Sequence, residues 1–125
     1  MLVKHRGNHA ATQPGHVDPA LRTRRYPHPL ARVQQVVAGV LPRLRTYGTS
    51  WRVKGPPLRR DGTVSMRAEV PVFIFTDDLV VTLRAADGGT VVDVRSAARV
   101  GKADFGENRR HVLQLLAALD DKLQA

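Results

Sequence analysis

The polar residues that could do chemistry crowd into the second half of the chain. Asp77 and Asp78 open one apolar run, Arg95, Ser96 and Arg99 close the next, and Asp104, Asn108 and Arg109 lie just ahead of a third. Two arginines beside a hydroxyl and an amide form a donor set suited to an anion, because guanidinium forks bind carboxylate or phosphate through paired hydrogen bonds. A helix N-terminus following them would add backbone amides. These eight residues are therefore a candidate ligand-binding site, with Arg95 and Arg99 as its donors. Asp104 works against that reading, since a capping carboxylate would already occupy the amide-rich helix end. The competing reading is structural: an ion-pair network that fixes the crossover from the last strand into the helix, because Asp and Arg are seldom fully buried unless paired.

Catalysis finds little support. The chain has no Gly-rich phosphate loop, no His-Glu-x-x-His and no Gly-x-Ser-x-Gly elbow. Ser96 has no histidine near it in sequence, and His111 is expected to face solvent. Adjacent strand residues point to opposite faces, so Asp77 and Asp78 are poorly arranged for paired acid/base work. No catalytic residue, cofactor or metal is assigned. His5, His9 and His16 lack flanking Cys, Asp or Glu at ligand spacing, and with no cysteine there is neither disulfide nor thiolate site.

The elements that must position these groups follow from periodicity. Leu79, Val81 and Leu83 alternate with Val80, Thr82 and Arg84, and Val92 and Val94 alternate with Val91, Asp93 and Arg95. Asp87-Gly88-Gly89 between them can take the positive φ of a tight hairpin turn. Upstream, Val64, Met66, Ala68 and Val70 face in, Arg59-Arg60-Asp61-Gly62 reads as a turn, and Trp51 and Val53 mark a short strand. Leu30, Val33, Val37, Val40, Leu41 and Leu44 form a helical stripe, shortened at Pro42 and stopped near Gly48. Val112, Leu115, Leu116, Leu119 and Leu123 form a second stripe. It starts near Phe105 behind a capping box of Asp104 and Glu107. The reading is an α+β fold: an antiparallel sheet of four to five strands with two helices packed on one face, β-α-β-β-β-β-α, helix-grip-like. Residues 1–20 are expected to be a flexible N-terminal tail, with 21–125 a single domain.

The run VDVRSAARVGKADFGENRRHV, preceded by Phe75-Thr76-Asp77-Asp78, resembles domain-of-unknown-function family 1499, found in bacteria and chloroplast-containing organisms. The similar signature is Asp-Asp before a strand, then Arg-Ser-x-Ser-Arg-x-Gly, then Asp-Phe-Gly-x-Asn-x-x-Arg. Asp77, Asp78, Arg95, Ser96, Arg99, Gly101, Asp104, Phe105, Gly106 and Asn108 match it, and Ala98 departs where serine is common. The resemblance covers about Tyr26 to the end and implies no activity.

Composition narrows the partners. The formal net charge is +9, and residues 1–62 hold twelve Lys/Arg against two Asp/Glu. A basic half attracts anions, so an anionic small molecule, a lipid or an acidic membrane surface is the expected partner class. Nucleic acid is disfavoured, because the polar sheet face (Arg52, Lys54, Ser65, Arg67, Glu69, Thr82, Arg84, Asp93, Arg95) lacks the aromatic groups that stack bases. No apolar run approaches the roughly 20 residues of a membrane span, and no leader is apparent, so the expected location is cytoplasmic or peripheral to a membrane. Val72-Phe73-Ile74-Phe75 is apolar on both faces. Burial beneath a helix is the first reading, and an exposed lip touching a ligand, membrane or second subunit is the other. Three functions follow: a non-catalytic binding domain with a cavity lined by Phe73 and Phe75, an interaction module docking on a partner protein or acidic membrane, and, least supported, a hydrolase-like enzyme.

Overall fold

In the computed structural model, residues 8–99 and 106–124 are described. The elements are β1 (His9–Ala11), β2 (Arg24–Tyr26), α1 (Leu30–Val40), β3 (Arg45–Thr46), β4 (Thr49–Ser50), β5 (Arg52–Val53), β6 (Leu58–Arg60), β7 (Thr63–Val72), β8 (Phe75–Ala86), β9 (Gly89–Ala98) and α2 (Glu107–Leu123). The class is α+β, as the periodicity predicts, but the sheet holds seven strands rather than four to five. The difference lies at its edges. Three long central strands pair in the order β9-β8-β7, and each edge is shared by two short strands: β1 and β2 on β9, β5 and β6 on β7. β3 and β4 form a separate two-stranded ribbon.

Residues 8–20 depart from the expected tail. His9–Ala11 pairs with Arg95–Ala97 of β9, and Thr12 Oγ1 donates to Asp93 Oδ1 at 2.7 Å. An open edge on β9 offers unpaired backbone groups, and the chain start satisfies them.

Turn chemistry sets the register. Tyr47-Gly48, Asp61-Gly62 and Asp87-Gly88 each join paired strands through two residues of positive φ, the twist-matched turn for which Asp-Gly is favoured. Gly48 thus serves a hairpin and does not stop α1. The helix ends in a 3-10 turn at Leu41–Arg43, where Pro42 interrupts it. With register fixed, Val64, Met66, Ala68, Val70, Leu79, Val81, Leu83, Val92 and Val94 all turn inward. They meet Val33, Val37, Val40 and Leu41 from α1, and Val112, Leu115, Leu116, Leu119 and Leu123 from α2, in one core. Each such Val, Leu or Met side chain contributes about 1.5–3 kcal/mol on burial. Both helices therefore cover one face and leave the other, polar face open.

Candidate functional site

The signature residues do not converge on one point, because the sheet sorts them by parity. Asp77 points inward and is buried, whereas Asp78 points outward and is only half-buried, the opposition expected of neighbours on a strand.

On the inner side, Asp77 faces His111 of α2, with Oδ2 and Nδ1 3.2 Å apart. The approach is too oblique for a hydrogen bond, and neither atom has another partner among the described residues. His111 is fully buried rather than solvent-facing as expected, packed edge-on to Trp51 at 6.1 Å between ring centres. Its Nε2 lies 3.1 Å from Glu107 Oε1, so one imidazole separates two carboxylates. Glu107 also accepts hydrogen bonds from Tyr47 Oη and, at 2.6 Å, from Arg110 Nη2. Burial works to raise the Glu107 carboxyl, but Tyr47, Arg110 and His111 together hold it below its ordinary value. The same contact with Glu107 raises the Tyr47 phenol. Deeper in the same seam, Ser96 Oγ donates to Asn108 Oδ1 at 2.6 Å, and Asn108 Nδ2 donates to the Asn8 carbonyl at 3.0 Å. Ser96 and Asn108 are therefore a buried staple between β9 and α2.

On the outer side, Arg99 donates from Nη2 to Asp78 Oδ1 at 2.6 Å and to Glu69 Oε2 at 2.8 Å. Glu69 also accepts from Arg52 Nε at 3.2 Å and from Lys54 Nζ at 3.3 Å. Arg99, Arg52 and Lys54 draw its carboxyl down to about 2. Arg95 stands on the same face, four residues from Arg99, exposed and without an ion-pair partner among the described residues. Arg109 is elsewhere again, donating to Asp18 Oδ2 at 2.7 Å and lowering the Asp18 carboxyl. Asp104 lies outside the described residues, and the N-cap position of α2 is Gly106, not Asp104.

Phe73 and Phe75 are exposed and do not pass beneath a helix. Val72 pairs with Phe75, so Phe73-Ile74 is the two-residue turn of the β7–β8 hairpin. Phe73, Ile74 and Phe75 are 77%, 89% and 44% exposed. Phe73 has φ 56, while Ile74 has no positive φ. That pattern belongs to a turn whose first central residue is usually glycine, and a bulky side chain there is a strained outlier. The Phe73 ring stacks on Tyr47 of the β3–β4 turn at 4.4 Å. A continuous chain of contacts thus runs from the tip through Tyr47, Glu107 and His111 to Asp77, two residues beyond Phe75. The buried polar relay anchors the element that presents the apolar tip.

Sequence reasoning missed His111, although its spacing from Asn108, Val112 and Leu115 puts it on the buried stripe. It also missed Tyr47, and it placed Glu69 on the polar sheet face without joining it to Arg99 and Asp78. The register pairing Glu69 with Asp78 was the available signal for Glu69; no local signal marks Tyr47. Among the described residues, no group of three His, Asp or Glu is arranged to hold a metal ion, and no helix is long and apolar enough to cross a membrane.

The family described as Protein of unknown function (DUF1499) matches residues 5–119, and the chain belongs to it. No curated protein matches significantly. Among solved structures, the chain is similar to protein CV1439 from Chromobacterium violaceum, with 12% identity, TM-score 0.48, and coverage of 94% of this chain and 98% of that one. It is also similar to CalU16 from Micromonospora echinospora, with 16% identity, TM-score 0.40, and coverage of 89% and 83%.

Proposed function

We propose that this member of the DUF1499 family is a non-catalytic interaction module that docks end-on at an acidic membrane surface. The observation that carries the reading is the tip: three consecutive apolar side chains, each exposed, held out on the long β7–β8 hairpin of a chain of net charge +9. Fully burying one such side chain is worth about 1.5–3 kcal/mol. Scaled by the exposed fractions, the tip would gain roughly 3–6 kcal/mol on entering the boundary between headgroups and acyl chains. A single myristoyl chain supplies a comparable amount, and that gives only marginal, reversible binding without a second signal. Positive charge is that signal. Arg45 is exposed two residues from Tyr47 at the root of the tip, and juxtamembrane cations add about 1 kcal/mol each at an anionic surface. The helix-grip-like reading of the fold fits this arrangement, because the covered sheet face is spent on the core and the hairpin end is left for contact. A cytoplasmic, membrane-peripheral location belongs to the same reading.

Sedimentation with vesicles of phosphatidylglycerol and phosphatidylcholine tests it. The wild type should co-sediment with the mixed vesicles, less so as salt rises, and should stay in solution with phosphatidylcholine alone. The double variant Phe73→Ser, Ile74→Ser should lose at least about tenfold in partition, corresponding to roughly 1.4 kcal/mol or more of lost burial. Equal partition of the wild type and the tip variant would overturn the reading.

A further inference from the structure

The sheet face turned away from the helices carries charge that the molecule itself does not neutralise. In register, Arg95, Val80 and Arg67 form one row across β9, β8 and β7. Asp93, Thr82, Ser65 and Leu58 form the next outward-facing row, and Arg25, Val91, Arg84, Thr63 and Arg60 the one after. The outward carboxylates of these strands are already engaged: Glu69 by Arg99, Arg52 and Lys54, Asp78 by Arg99, and Asp93 by the hydroxyls of Thr12 and Thr23 at 2.7 and 2.5 Å. Arg25, Arg60, Arg84 and Arg95 are all exposed, and none has a side-chain hydrogen bond or ion pair among the described residues. Asp61 and Asp87, in the nearby hairpin turns, pair with none of them. Arg67 is partly buried: its Nη2 donates to the Lys54 carbonyl at 3.3 Å, and its Nε has no acceptor among the described residues. With strands ~4.8 Å apart and a rise of ~3.3 Å per residue, these five guanidinium groups spread over an array of ~13 by ~19 Å with hydroxyls between the rows.

We propose that this face binds a linear, base-free chain of phosphates, of the inorganic polyphosphate kind, laid across the strands along the Thr82–Ser65 row. Arginines of the two flanking rows donate to it in pairs. Three features select this occupant. The unpaired arginines spread wider than one phosphate group spans, so an extended anion is needed to meet them. The rows contain no aromatic side chain, which removes the stacking that holds single-stranded nucleic acid. Their apolar members offer no continuous wedge for a bilayer: Val91 is buried, Val80 partly so, and the single exposed one, Leu58, sits at the edge of the sheet on β6. The apolar tip lies at the hairpin end beside α2, away from this face, so the two surfaces act independently.

The test is calorimetric titration of the full chain with medium-chain inorganic polyphosphate across a salt series, with orthophosphate as the short control. The wild type should bind polyphosphate with a steep salt dependence and orthophosphate not measurably. Arg84→Gln with Arg95→Gln should weaken binding by roughly tenfold or more and lower the salt slope by about two, one for each phosphate that the exchanged arginines had neutralised. Arg32→Gln with Arg43→Gln removes the same charge from exposed positions outside this face and should bind as wild type does. The tip variant Phe73→Ser, Ile74→Ser should also bind polyphosphate normally, so failure of the membrane reading and failure of this one are distinguishable. Absence of binding at physiological salt would overturn the proposal. So would equal weakening by both arginine pairs, or tighter binding of duplex DNA or anionic vesicles through Arg84 and Arg95.

Discussion

Phe73 offers a prediction whose sign is set by backbone conformation alone. Its φ of 56 lies where an L-residue costs about 1–2 kcal/mol relative to right-handed backbone, a cost that glycine escapes. Elsewhere, exchanging alanine for glycine destabilises by about 0.5–1 kcal/mol through chain entropy. At position 73 the order should invert, with Phe73→Gly more stable than Phe73→Ala by about 0.5–1 kcal/mol, the difference of those two effects. Both variants lose the stack on Tyr47, worth about 0.5–1.5 kcal/mol, and little burial, because the ring is 77% exposed. The alanine variant should therefore fall about 1 kcal/mol below wild type and the glycine variant close to it. Urea unfolding measures this through midpoints at a shared slope. An alanine variant as stable as the glycine variant would refute the strained turn, and with it the rigid presentation of the tip. Vesicle binding should fall in both, so the glycine variant separates docking from stability.

The buried relay and the outer ion pairs make opposite predictions. His111→Ala removes the group facing the buried Asp77 Oδ2 and empties a fully buried site, and should cost about 3–5 kcal/mol, read by denaturant unfolding; a loss under about 1 kcal/mol would mean that the pair contributes no attraction. Arg99→Ala removes one end of an exposed network and should shift the melting temperature only slightly, because solvent screens the pair and long side chains lose entropy in making it. The acid limb tests the same pairing. Glu69 is lowered from 4.5 to about 2, so the stability it contributes is present above 4.5 and lost as pH falls toward 2. Arg99→Ala should remove from that limb the same small amount that it costs at neutral pH, while Arg52 and Lys54 retain the rest. Melting temperatures stepped through this window would show it, and unchanged acid sensitivity would mean that Arg99 does not hold the Glu69 carboxylate.

The long strands were legible because period and turn chemistry agree: Leu79, Val81 and Leu83 pair with Val92 and Val94 through Asp87-Gly88, and no other register buries both sets. β1 was not legible, because three residues carry too little pattern and their pairing depends on a free edge of β9 that exists only once the sheet has formed. Val72–Phe75 misled for a different reason. An apolar run predicts burial through the cost of exposing it, and its turn lacks the glycine that such a turn normally requires, so local rules pointed away from a hairpin tip. His111 misled because a histidine in a charged first turn reads as surface unless the stripe is drawn through it.

These failures separate the signature from the rest of the chain. Asp77, Ser96 and Asn108 sit where β8 and β9 meet α2, and their hydrogen-bond demands admit one docking of that helix, which is a structural duty. Arg99 and Asp78 satisfy each other, leaving no free guanidinium fork for a ligand at that point. What the fold does not consume lies elsewhere, in the exposed strained tip and in the arginines of the outer face. Where local propensity and observed structure disagree at a cost in stability, function is the usual compensation. By that reasoning Phe73 and the Arg95 left unpaired among the described residues mark better places to look for activity than Arg99 and the aspartates of the signature.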